Sequence, residues 1–157
     1  MNTKPAPGSG DWERLWFATR HKSWSSLAII PIDGSVDSGA VAESLVATGR
    51  LHGERPVSLL DARGVPVNGV RHLVDSLNVL NGRGNWVIVP VDPISENPSS
   101  VPIVQATSGA LLVVRLGGSL LASGRAAIDA VGREHFLGSI VIGGGKGAGS
   151  LQLTPPQ

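Results

Sequence analysis

The sequence contains no cysteine, no tyrosine and one methionine in 157 residues. Without cysteine there can be neither a disulfide nor a thiolate metal site. The four histidines (His21, His52, His72 and His135) are far apart and match no metal-ligand spacing, so neither a metal nor a cofactor is expected. Lysine and arginine are scattered, and the formal net charge is only +1. No basic stripe of the kind that tracks a phosphate backbone is present, which excludes a nucleic-acid partner. No apolar run approaches the ~18 residues of a membrane span. The polar start of the chain, with Pro5, Pro7, Gly8 and Gly10, lacks the apolar region of a secretory signal, so the expected compartment is the cytoplasm.

What is present suits one folded domain. Hydrophobic residues make up 41% and charged residues 16%, too apolar a balance for disorder. Residues 1–10 read as a flexible arm, 11–142 as the domain and 143–157 as a loose Gly/Ser/Pro-rich tail. Asp11 is placed to cap a first helix, in which Trp12, Leu15, Trp16 and Thr19 recur at the helical period. Short continuous apolar runs follow at Leu27–Pro31, Pro56–Asp61, Trp86–Val89, Ala110–Val114 and Ser139–Ile142. Such runs fit strands buried on both faces. Between them lie helical stripes: Val41, Ala42, Leu45 and Val46, with Gly49 as the C′ glycine; Val70, Leu73, Val74 and Leu77; a short helix near 101–107; and Leu120, Leu121, Ala127, Ile128 and Val131 facing inward. This alternation predicts an α/β fold, with about five mainly parallel strands and helices on both faces.

The order of pieces from about Glu13 to Ile142 resembles the P-loop ATPases of the MinD/ParA group, and most of all the bacterial tyrosine autokinases of capsule and exopolysaccharide synthesis. The pieces are Trp24-Ser25-Ser26-Leu27-Ala28-Ile29-Ile30 at the first strand and Val41-Ala42-Glu43-Ser44-Leu45-Val46 in the helix after it. Ser58-Leu59-Leu60-Asp61-Ala62-Arg63 stands where the family has an "h-h-h-D-A-D-x-R" strand. Ser108 to Arg115 and Gly138 to Ile142 match its later strands. The resemblance implies a P-loop-like fold with a phosphate loop over Asp33, Gly34, Ser35, Asp37, Ser38, Gly39 and Ala40.

The residues that would perform the family's chemistry are missing. A phosphate loop needs a lysine to reach the β/γ-phosphates and a hydroxyl to ligate Mg²⁺. The lysine position is Ser38, followed by Gly39 and Ala40, and no Lys or Arg lies between Lys22 and Arg50. Asp33 and Asp37 would repel a triphosphate. The family's Mg²⁺-binding aspartate is displaced two residues to Asp92, a shift of about 6–7 Å along a strand. Asp61 stays at the other acidic position, either as a metal ligand or as a strand-end residue accepting turn N–H bonds. The tyrosine-rich tail that the autokinases phosphorylate is absent too.

The expected function is therefore that of a non-catalytic interaction or regulatory protein in a bacterial polysaccharide synthesis or secretion system. Its expected partners are a second copy, an active ATPase or kinase paralogue, or a membrane-bound polysaccharide assembly protein that would hold it at the inner membrane. Trp12, Trp16 and Phe17 are the candidate contact residues; Phe17 lies off the face shared by the two tryptophans. One alternative is an atypical Mg²⁺-dependent nucleotide-binding enzyme using Asp61 and Asp92. A second is a truncated amino-acid-kinase-like protein, suggested by Leu116-Gly117-Gly118-Ser119 and by Gly143-Gly144-Gly145-Lys146.

Overall fold

The computed structural model describes residues 9–117, 121–143 and 153–154. The elements run α1 (Ser9–Thr19), β1 (Ser26–Pro31), α2 (Ser38–His52), β2 (Val57–Leu59), α3 (Val70–Gly82), β3 (Trp86–Pro90), α4 (Ser100–Ala106), β4 (Gly109–Arg115), α5 (Leu121–Val131), β5 (Phe136–Ile142) and β6 (Leu153–Thr154). They form one sheet in the order β2-β3-β1-β4-β5-β6. The first five strands in that row are parallel, and β6 joins β5 antiparallel. The α/β class, the parallel sheet and the flanking helices follow the sequence expectation.

The apolar runs form strands because the central positions are covered on both faces. Every residue of β1 and of β3 is buried. Right-handed crossovers place α2 on one face, since the chain moves leftwards from β1 to β2, and α3, α4 and α5 on the other. Packing agrees with that division: α1 lies against α2, α3 against α4, and α4 against α5. The inward stripes on α2 (Val41, Ala42, Leu45, Val46) and α3 (Leu73, Leu77) are buried as their spacing requires.

Several expectations need correction. Helix α1 begins at Ser9, so Asp11 lies inside its first turn and pairs with Arg14 instead of capping the helix. Of the expected arm, residues 1–8 lie outside the described residues. Gly49 does not end α2. The helix runs on to His52, and Gly53 N–H donates to Gly49 O. Gly49 is instead a packing position, since a Cβ there would sit 2.6 Å from the Trp16 ring. Leu121 was expected inward but is 88% exposed, while Ala127 and Val131 are buried and Ile128 is half-buried. Leu120 lies outside the described residues. Strand β5 starts at Phe136, three residues early, and Leu153–Thr154 of the expected tail pairs with β5 through Ser139 and Ile140. The rest of that tail beyond Gly143 lies outside the described residues, as does most of the second glycine cluster. Among the described residues, no helix is long and apolar enough to cross a membrane.

Candidate functional site

Ligands of open parallel sheets bind beyond the carboxyl ends of the strands. Here that region is the loop 32–37 between β1 and α2, flanked by the segments that leave β2 and β3. The strand–loop–helix context of a phosphate loop is present, and Ser38 opens α2. A phosphate loop works because its backbone N–H groups point at phosphate oxygens. Here two of them, those of Ser35 and Ala40, donate to the protein's own carboxylates. Asp33 Oδ1 accepts from Ser35 N at 2.9 Å and from Ser35 Oγ at 2.5 Å. Asp37 is the N-cap of α2, and its Oδ1 accepts from Ala40 N at 3.1 Å. Each aspartate takes the place that an anionic ligand would fill. On the other side of the loop, Arg115 Nη1 donates to Ser35 O at 3.1 Å.

The side chain of Ser38, which opens α2, points inward. Ser38 is buried, and its Oγ donates to Val91 O at 2.8 Å, tying the first turn of α2 to the chain just beyond β3. Above that turn lies Arg63. Its Nε and Nη2 each donate to one oxygen of Asp61 at 2.9 Å, a bidentate pair, and its Nη1 reaches Asp37 Oδ1 at 3.3 Å. The guanidinium rests directly on Gly39, where any Cβ would collide with it. A cation at a helix N-terminus opposes the helix dipole; the two aspartates offset that opposition. The hydrogen bonds from the Arg63 side chain hold the Asp61 carboxyl below its usual range, more than burial raises it, and Asp61 in turn holds the Arg63 guanidinium above its own.

Asp92 completes the set. Its Oδ2 accepts from Gly64 N at 2.7 Å and from Asn97 Nδ2 at 3.0 Å. Gly64 has φ +76°, a backbone conformation open to glycine, and that turn follows Arg63 directly. The cleft left between these segments has a volume of about 370 Å³, with Asp37, Ser38, Arg63, Asp92 and Glu96 among its walls.

These residues do not fit a nucleotide. The loop N–H groups of Ser35 and Ala40 are taken, Arg63 covers the first turn of α2, and Asp37, Asp92 and Glu96 face the space where polyphosphate would lie. Nor do they fit Mg²⁺. Both oxygens of Asp61 are held by Arg63, and among the described residues no three His, Asp or Glu side chains converge to hold a metal ion. Comparison of the chain with protein-family models and with curated proteins gave no match, so the site is read from its geometry.

The structure brings together Asp37, Ser38, Gly39, Asp61 and Asp92, all singled out in the sequence, around a residue that was not, while Asp33 stays within its own turn with Ser35. Arg63 stands where the quoted family pattern has its second aspartate. That reversal of charge was the signal that could have identified it. The candidate contact residues separate. Trp12 and Trp16 are 8% and 1% exposed and belong to the core, which removes them as contact residues. Phe17 is 51% exposed and lies edge-on to the His52 ring at 5.3 Å, beside the His52–Glu13 pair.

Proposed function

We propose that this chain is a non-catalytic interaction protein that keeps an ATPase-like fold and has closed its own phosphate loop. The observation that carries the reading is that Asp33 and Asp37 accept the Ser35 and Ala40 N–H groups, as a phosphate would, with Arg63 laid over Gly39. The fold then serves as a docking body. The resemblance to polysaccharide autokinases supplies the setting: a bacterial polysaccharide synthesis or secretion system, at the cytoplasmic side of the inner membrane. The partner is a second copy, an active ATPase paralogue or a membrane-bound assembly protein. Phe17 is the contact residue that its exposure supports. The Mg²⁺-dependent nucleotide reading is disfavoured because Asp61 and Asp92 are already committed to Arg63, Gly64 and Asn97.

Calorimetry with ATP and Mg²⁺ tests this. No heat of binding to the cleft is expected: any heat seen should disappear or weaken in a variant of the far end of the sheet and be unaffected by changes at Arg63 or Ser38. A dissociation constant below about 100 μM, near −5.5 kcal/mol, in a cleft-dependent manner would overturn the proposal.

A further inference from the structure

At the other end of the sheet, three tryptophans meet beside two arginines. Trp16 lies edge-on to Trp24 with ring centroids 5.7 Å apart, and Trp86 is 5.7 Å from Trp16 and 6.0 Å from Trp24. Trp86 opens β3, and Trp24 stands just before β1, so the cluster marks the amino ends of the strands. The Arg20 guanidinium lies over both Trp24 and Trp86, 4.9 and 4.0 Å from their centroids, and Arg55 lies 5.5 Å from the Trp86 centroid. Both cations are thus held at one indole, closer together than the ~10 Å over which salt screens exposed charges.

Two like charges held this close repel. The Arg20 guanidinium is held below its ordinary pKa, first by burial and then by the charge of Arg55, with Glu54 acting the other way. Yet among the described residues neither arginine forms an ion pair. Arg20 spends one donor, Nη1, on Trp24 O at 3.3 Å, and no hydrogen bond from the Arg55 side chain is found among the described residues. A guanidinium resting on a ring face keeps its N–H donors at its edge, where they can meet an anion. Lys22, which is exposed, adds a further positive charge in the turn after Arg20.

We propose that Arg20 and Arg55 form a clamp for a phosphoryl group, floored by Trp86. A phosphoryl group carries up to two negative charges and enough oxygens to engage both guanidinium forks, whereas a carboxylate has two oxygens in all. The clamp lies at the opposite end of the strands from the closed cleft, so it is independent of the proposed function. Its ligand is either a soluble phosphate compound or a phosphate-bearing lipid headgroup.

Intrinsic tryptophan fluorescence and calorimetry, at constant ionic strength and without Mg²⁺, read the clamp directly. The probes are inorganic pyrophosphate and, separately, phosphatidylcholine vesicles with and without phosphatidic acid. Saturable binding is expected, weakened about tenfold in Arg55→Gln, or ~1.4 kcal/mol. Arg55 is exposed, so that variant keeps the fold, which circular dichroism checks. Arg125→Gln on α5 removes the same charge elsewhere and should leave binding unchanged. Arg55-dependent binding of pyrophosphate assigns the clamp to soluble phosphates; Arg55-dependent binding of phosphatidate vesicles alone assigns it to headgroups. No saturable binding of either probe up to roughly 10 mM, or equal weakening by both variants, would overturn the clamp. ATP held here would be weakened in Arg55→Gln, while ATP in the cleft would not, so the two proposals fail separately.

Discussion

The two ends of the parallel strands treat charge in opposite ways. At the carboxyl ends, Asp33, Asp37, Asp61 and Asp92 each accept from a donor within the protein, and Arg63 joins two of them. At the amino ends, Arg20 and Arg55 lie on indole rings and form no ion pair among the described residues. The polar end is solvent-exposed, and its charges close on one another. The amino end is built on buried tryptophan, which attracts cations but cannot neutralise them. A satisfied set of charges resists a ligand, and cations that no ion pair engages leave donors for one, even with Glu54 nearby.

The sharpest way to break this contrast is to remove the aromatic floor. Trp16 is buried against Trp24, Trp86 and Gly49, so Trp16→Ala should lower unfolding free energy in urea by about 3–5 kcal/mol. A loss under ~1 kcal/mol would mean that the amino-end cluster is not part of the core. At the carboxyl end the corresponding insult is smaller. Ser38→Lys, which puts a cation at the start of α2, would forfeit the bond to Val91 O and crowd an ammonium into a buried position. A destabilisation of about 2–3 kcal/mol is expected, with no ATP binding by calorimetry; a gain of ATP affinity would show that the loop can still open.

Arg63→Ala probes the closed charge network itself. The pairs are half-exposed, so the loss should stay below about 1 kcal/mol. Its pH dependence is the informative part. Asp61 is held below its usual range, so its contribution is fully present above about pH 4 and is lost as pH falls through the lower folded value. The stability gap between the wild-type protein and Arg63→Ala should therefore shrink on acidification, and a gap that widened would contradict the assigned pair. The smallest effect belongs to Phe17→Ala. Melting should be nearly unchanged, within about 0.5 kcal/mol, while sedimentation should show weaker self-association or partner binding. Unaltered association would remove Phe17 as a contact residue.

The legible parts of the fold were those governed by local chemistry. β1, β3 and β4 announce themselves as apolar runs because parallel strands are buried on both faces. The stripes of α2 and α3 are legible because a helix buries one face. Gly49 was misread because a glycine near a helix end serves equally as a terminator or as a space for a neighbouring ring, and only the position of Trp16 separates the two. Leu121 was misread for a similar reason: it stands at the first turn of α5, where a stripe extended by periodicity alone leaves the core. Two paired residues are too short a strand to leave a pattern, which hid β6. In the site, the stretch without Lys or Arg around Ser38 and the acidic residues Asp61 and Asp92 were plain in the sequence, and the role of Arg63 was not.

By itself the sequence determined the alternation of strands and helices, the parallel sheet, and the absence of a lysine between Lys22 and Arg50 at the loop. Periodicity and composition carry those because each depends on neighbours within a few residues. Only the tertiary structure decided that Arg63 would lie on Gly39 and bind Asp37, 26 residues earlier in the chain. Only it decided that Arg20 and Arg55 would share Trp86. Both outcomes follow from the sheet order, which sets β3 between β1 and β2 and brings the chain segments at either end of these strands together. Charges that are distant in sequence have no local signature, and their partners are chosen where the strands end.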